Sequence, residues 1–384
     1  MRSRLLAIVV GLGVGLGVAE AGARLLEARL PEETLLAGIG RRIDDPVLEY
    51  RTLPDTGEND ARGYRNRESL ERADVVVLGD SQTWGVNAAL AEAWPSVLGE
   101  LTGLRVYNMG RGGYGIVQYR HQLEQALSLE PSTLVVSLYL GNDIYDAYSL
   151  AYGLPAHEAL RHPDPVVREA IARSPYPDLQ RMFFDRLAHH RSSLRPVQWV
   201  TENTGLGRLF ARATQTPADA VADRAWAAAH PDDGFVYEEG GISTVFHTSY
   251  RVAALATSLP KVREGLRITQ NVLVDLGRRV AEVPETELLV VLIPTKERIF
   301  ARAVSSAGLP TPGSYVRGVS EESKISAGLI ALMQEEEIAY LDLLPVLEEV
   351  IGLGEAIFPA NVDGHFTAQG YRRLAEAVAS ELAR

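Results

Sequence analysis

Val75-Val76-Val77-Leu78-Gly79-Asp80-Ser81 is an apolar, β-branched run that stops at a small residue, an acid and a hydroxyl. The run predicts a buried strand that delivers Ser81 to the end of a sheet. In a parallel α/β sheet, ligands bind outside the carboxyl ends of the strands, so a serine at that place is positioned for chemistry. Its partners come from the other end of the chain. Asn361-Val362-Asp363-Gly364-His365-Phe366 precedes a helical segment that runs to Arg384 and offers an acid and an imidazole two residues apart. A serine hydroxyl is a poor nucleophile near neutral pH and needs a base, which in turn needs its tautomer fixed. Ser81, His365 and Asp363 are therefore the candidate nucleophile, base and orienter.

Outward from that strand the chain alternates apolar runs with helical segments. Val75 to Leu78, Arg105 to Asn108 and Thr133 to Leu140 read as strands; Leu90 to Leu101 and Gln118 to Leu129 read as helices. Such alternation predicts right-handed βαβ units and a parallel sheet. After Asp146 the rhythm fails, and from about Tyr148 to Ser249 short helices are broken by Pro155, Pro163, Pro165, Pro175, Pro177 and Pro196. It returns with a helix from about Val262 to Val280, a strand from Leu288 to Ile293, a helix from Glu321 to Gln334 and a strand near Ala339-Tyr340-Leu341. A final helix starts near Thr367, whose hydroxyl can cap it. The expected organisation is a membrane-directing segment over 1–26, a stalk and lead-in over 27–72, a core split between 73–147 and 250–384, and a mostly helical insertion or lid over 148–249.

Arg2 and Arg4 precede an unbroken apolar run from Leu5 to Ala19, the charge order of a signal peptide or an N-terminal anchor. Ala19-Glu20-Ala21 fits a small-x-small cleavage pattern, yet the run can be extended to Leu26. The expectation is export across the cytoplasmic membrane, with an uncleaved anchor slightly favoured. A formal charge of -12 with no basic stripe argues against a nucleic-acid partner. The chain has no cysteine, which removes disulfides, thiolate catalysis and cysteine-ligated metals.

Two further motifs fall at expected strand ends. Asn108-Met109-Gly110-Arg111-Gly112-Gly113-Tyr114-Gly115 follows a strand and precedes a helix. Glycine leaves backbone N–H groups open to a ligand, and Gly113 is the candidate oxyanion donor here. The same stretch matches G-x-G-x-x-G through Gly110, Gly112 and Gly115, but the acid expected about twenty residues on is missing; Asp143 lies further away. Leu140-Gly141-Asn142-Asp143 ends the next strand, and the Asn142 amide can donate to an oxyanion. His189-His190 lacks metal-ligand spacing, and a metallophosphatase would need histidines that the later core does not supply. Neither a metal nor a cofactor is expected.

Gly79-Asp80-Ser81, Gly112-Gly113, Gly141-Asn142-Asp143 and Asp363-Gly364-His365 occur in the order that defines the SGNH, or GDSL-type, hydrolase superfamily, which the chain resembles over about 73–146 and 260–384. The resemblance implies a flavodoxin-like three-layer sandwich, with Ser81 as nucleophile and first oxyanion N–H, Gly113 and Asn142 as further donors, and His365 as base. Many members place the acid three residues before the histidine, whereas Asp363 is two before it. Pro294-Thr295-Lys296 is similar to a Pro-x-Lys segment of SGNH-like proteins linked to O-acetylation of exported polysaccharides, which makes Lys296 a candidate substrate residue. Trp84 and Tyr114 are candidates to line an acyl or sugar pocket, or to pack in the core. The implied function is a serine esterase acting on acyl, foremost acetyl, esters of a small molecule or a cell-surface glycan. Two alternatives stand beside it: an O-acyltransferase that passes the group to a sugar hydroxyl, and a catalytically silent polysaccharide-binding or assembly protein.

Overall fold

The computed structural model of the chain describes residue 20, residues 42–177 and residues 220–384. Its strands are β1 (Arg42–Asp45), β2 (Glu49–Thr52), β3 (Val75–Leu78), β4 (Val106–Asn108), β5 (Thr133–Tyr139), β6 (Gly234–Glu239), β7 (Ile242–His247), β8 (Glu287–Ile293) and β9 (Ala339–Asp342). Five of them form one parallel sheet in the order β4-β3-β5-β8-β9. Counted along the sheet strands alone this is 2-1-3-4-5, the flavodoxin-like doubly wound order, in which the strand order switches between β3 and β5.

The apolar runs are continuous because both faces of the sheet are covered. Val76, Leu78, Val136, Leu138, Val290 and Leu292 pack on one side with the helices Ile116–Leu127, Asp143–Gly153, Pro260–Ala281 and Gly313–Glu335. Their alternates Val75, Val77, Val135, Leu289, Val291 and Ile293 pack on the other with Trp94–Thr102, Leu344–Gly352 and Ala368–Leu382. Side chains of a strand point alternately to opposite faces, so two covered faces demand an unbroken apolar run. Each such residue, once withdrawn from water, contributes about 1.5–3 kcal/mol.

Several elements depart from the sequence expectation. The segment read as one helix over Leu90–Leu101 is a short 3-10 turn, Leu90–Glu92, followed by a helix Trp94–Thr102 with Pro95 in its first turn. Proline fits there because the first N–H groups of a helix have no internal partner. The helix expected from Glu321 begins at Gly313. Gly318 lies within it, where an added Cβ would meet Val252 at 3.5 Å, an ordinary contact.

Part of the segment read as a stalk is folded onto the sheet domain. β1 and β2 pair antiparallel, and Tyr50, Asp60, Tyr64 and Arg65 are buried. The insertion is not helical throughout. Its described parts include the helix Pro165–Arg173, a helix through residues 220–229 and an antiparallel hairpin of β6 and β7. Gly240 and Gly241 turn that hairpin at φ 61° and 83°, which only glycine adopts easily. Phe235, Tyr237, Ile242 and Phe246 then join the second core beside Phe300 and Tyr315. No helix among the described residues is long and apolar enough to cross a membrane. The apolar run Leu5 to Ala19 lies outside them.

Candidate active site

β3 ends at Leu78, and Ser81 is the first residue of a one-turn helix, Ser81–Trp84. Asp80 caps that helix by accepting the Gln82 N–H at 2.9 Å. Gly79 is required by space: a Cβ there would lie 2.1 Å from Thr83 Oγ1. The turn leaves the Ser81 hydroxyl facing the loop ahead of the last helix, where the Ser81 Oγ–H donates to His365 Nε2 at 2.8 Å. The other ring nitrogen, Nδ1, lies 2.7 Å from Asp363 Oδ1. The same carboxylate oxygen accepts the His365 backbone N–H at 3.0 Å, and Oδ2 accepts Asn87 Nδ2 at 2.8 Å. The two-residue spacing between acid and imidazole thus reaches, because the backbone turns tightly enough for Asp363 to hold both N–H groups of His365.

The loop is held from below. Gln82 Nε2 donates to the Gly364 carbonyl at 2.9 Å, and its Oε1 accepts from the Phe366 N–H and the Tyr371 hydroxyl. Lys296, expected at the substrate rim, is instead 1% exposed beneath this loop. Its Nζ donates to the carbonyls of Val245, Asn361 and Asp363 at 2.8, 3.1 and 3.0 Å and to Thr244 Oγ1 at 3.2 Å. The ammonium is buried because four protein oxygens replace its water, so it braces the loop and does not face the cleft.

These contacts set the charges. Burial by itself would lower the His365 imidazole, but the charge and hydrogen bond of Asp363 outweigh it, with Asp80 adding, and hold it above the ordinary histidine value. Burial would raise the Asp363 carboxyl; His365 and the bonds from Asn87 and the loop backbone hold it well below the usual carboxylate range. Asp80 goes the other way. Burial pushes it up to about 6, against its bond from the Gln82 N–H and the nearby imidazole. Its Oδ2 lies 3.3 Å from Ser81 Oγ, a weaker contact than the 2.8 Å to His365.

The next strand end brings the glycine turn alongside. Met109 N donates to Val77 O and Arg111 N to Gly79 O, at 2.8 and 2.9 Å, which prolongs the β3–β4 pairing past the strands. Gly113 sits in that turn at φ 80°, a left-handed conformation that favours glycine. Among the described residues no hydrogen bond engages the backbone N–H of Ser81 or Gly113. Asn142 follows β5 as the cap residue of the helix Asp143–Gly153. One hydrogen of its Nδ2 goes to Asp146 Oδ2 at 2.7 Å, which leaves the second for a ligand. Burial pushes Asp146 up to about 7, opposed by that bond and reinforced by Asp80 and Glu49.

The two aromatic candidates part from the rim. Tyr114 is fully buried in the first core, its hydroxyl donating to Tyr50 O at 2.5 Å, so it lines no pocket. Trp84 is 7% exposed, with the Arg65 guanidinium 4.0 Å over its ring. Of the two readings held open for each, core packing is the one their burial fits, since nearness in sequence to Ser81 and Gly113 does not tell which way a side chain points. Gln82, Asn87 and Asp146 were missed, since nothing in their spacing marks them; Asp80 stood inside the motif and was passed over. His189-His190 lies outside the described residues. Among those residues no group of three or more His, Cys, Asp or Glu is arranged to hold a metal ion.

No protein-family model and no curated protein matches the chain. Solved structures similar to it include a lipolytic protein of the G-D-S-L family from Desulfitobacterium hafniense, 13% identical, over 80% of this chain and 97% of that one, with a TM-score of 0.35. A catalytic mutant of an acetylxylan esterase from Geobacillus stearothermophilus is 11% identical over 82% of this chain and 96% of that one, with a TM-score of 0.38. A carbohydrate acetylesterase from Sinorhizobium meliloti is 13% identical over 80% and 97%, with a TM-score of 0.32.

Proposed function

We propose that the chain is a serine esterase that cleaves acyl esters, with Ser81, His365 and Asp363 as its catalytic residues. One observation carries this reading: Ser81 Oγ, both ring nitrogens of His365 and Asp363 Oδ1 form a continuous hydrogen-bonded line with links of 2.8 and 2.7 Å. As Oγ attacks the ester carbonyl, its proton passes to Nε2, and the imidazolium formed is stabilised by the Asp363 carboxylate. The oxyanion is received by the N–H groups of Ser81 and Gly113 and the second hydrogen of the Asn142 amide. Nε2–H then protonates the leaving alkoxide and the alcohol departs. Water, giving its proton to Nε2, attacks the acyl-serine; collapse of the second tetrahedral adduct returns that proton to Oγ and releases the acid.

The finer reading is an acetyl ester on an exported or cell-surface glycan, with the protein tethered to or released from the membrane by residues 1–26. It is supported by Arg2 and Arg4 ahead of the apolar run and by the family that the motifs resemble. Purified protein and its Ser81→Ala variant, assayed on chromogenic acetyl and longer acyl esters, test both levels. Hydrolysis of the acetyl ester that disappears in Ser81→Ala is expected. Equal activity in the two proteins overturns the assignment, and faster turnover of long chains overturns the acetyl preference. Acyl transfer to added oligosaccharide in place of acid release would make the protein an acyltransferase.

A further inference from the structure

Arg251 stands on the helix Thr248–Leu255, which continues directly from β7 at the end of the insertion. Its Nη1 donates to the Gly141 carbonyl at 3.0 Å, and its Nε pairs with Glu297 Oε2 at 3.2 Å. A Cβ built on Gly141 would lie 2.4 Å from the Tyr139 ring and 2.6 Å from Nη1, and one built on Gly364, where the guanidinium is the nearest group, would lie 2.5 Å from Nη2. Neither glycine has a positive φ, so backbone conformation does not demand glycine at either place. Space does. The guanidinium fills the gap between the residue before Asn142 and the residue before His365.

We infer that Arg251 is a positioning residue, a planar fork clamped between Gly141 and Gly364 that sets the His365 loop against the Asn142 strand end. The assignment rests on the esterase reading above. It means that the helix joining the insertion to the second part of the core supplies part of the active-site frame. A lysine cannot replace it, because an ammonium lacks the plane that touches both glycines. Misplacement of reacting groups by about 1 Å can cost on the order of 100-fold in rate. The charge has an effect of its own: His365 faces the carboxylates Asp363 and Asp80, which favour its protonated form, and Arg251, which opposes it. Arg251 itself faces Glu297, Glu322, Tyr139 and Tyr250.

The experiment takes the full chain with Arg251→Met, Arg251→Lys, Gly364→Ala and the Gly364→Ala, Arg251→Met double variant. For Arg251→Met we expect kcat on the acetyl ester to fall about 10- to 100-fold with KM little changed. The acid limb of its kcat/KM profile should move to higher pH, since the cation that opposes the imidazolium is gone. Arg251→Lys should lose rate while moving the limb less. Gly364→Ala should lower kcat in the native background and add little once Arg251 is Met, because the two changes share one contact. A folded Arg251→Met with native kcat and an unmoved limb overturns the inference, as does full additivity of the double variant. If Arg251→Met does not fold, Gly364→Ala decides: native kcat there overturns it. An inactive native protein, or an active Ser81→Ala, overturns the esterase reading instead; NMR titration of His365 in Ser81→Ala, with and without Arg251→Met, then still reads the effect of Arg251.

Discussion

Lys296 Nζ lies 3.0 Å from the backbone carbonyl of Asp363, whose side chain holds the His365 ring. A buried cation thus supports the acid of the site through its backbone and leaves its carboxylate to the imidazole. In sequence Lys296 looked like a substrate residue because Pro294-Thr295-Lys296 follows a strand end and resembles a Pro-x-Lys segment. Its four oxygen partners make it part of the scaffold.

Removing the ammonium takes a donor from three carbonyls and a hydroxyl in the interior, of which the Asn361 carbonyl still accepts from the Val245 N–H and the Thr244 hydroxyl. Lys296→Met should lower unfolding free energy by about 1–3 kcal/mol, the cost of leaving buried acceptors without their donor. Urea denaturation followed by fluorescence measures it; a loss under 1 kcal/mol would refute the bracing role.

Asp363 raises the imidazole, so Asp363→Asn should lower kcat roughly 10²- to 10⁴-fold and move the acid limb of kcat/KM to lower pH. The sign follows from the base having to be neutral. In the native protein activity falls as pH drops through a His365 value above the ordinary one, and without the carboxylate that value falls. A limb that stays in place would show that Asp363 does not set the basicity of His365.

For Asn142→Ala we expect kcat to drop about 10²- to 10³-fold with KM near native, since the oxyanion exists only in the transition state. Single-turnover acylation rates test this. A raised KM with native kcat would place Asn142 in ground-state contact only.

Gly113→Ala isolates backbone conformation from crowding. The nearest atom to an added Cβ is Tyr50 Oη at 3.7 Å, so nothing clashes, but φ 80° disfavours any L side chain. The variant should lose roughly 1–2 kcal/mol of stability. If the turn relaxes to negative φ, its N–H rotates away and kcat falls at least tenfold. Native kcat together with native stability would remove Gly113 from the oxyanion site.

Stability itself should depend on pH through buried carboxyls. Burial pushes Asp80 up to about 6 and Asp146 and Glu322 up to about 7. In the unfolded chain such groups titrate near 4, so between about pH 4 and 7 the folded form binds more protons and stability falls as pH rises. His365, raised above its ordinary value, adds in the same direction, while the depressed Asp363 acts only at lower pH. The melting temperature should therefore decline from about pH 5 to 8, and Glu322→Gln should flatten the decline. A melting temperature that rises over this range would contradict the buried-carboxyl account.

What the sequence by itself determined is the sheet and the reacting atoms. Strands buried on both faces must read as unbroken apolar runs, and the chemistry of Ser81, His365, Gly113 and Asn142 sits at the ends of those runs or before the last helix, where a parallel sheet gathers its ligands. Only the tertiary structure decided what surrounds them. Lys296 and Tyr114 face inward, Arg251 reaches Gly141 and Gly364 from the helix that follows the insertion, and Asp146 holds the Asn142 amide. Periodicity records whether a residue is buried; it carries no direction and no partner, because those are set by segments that meet only when the chain has folded.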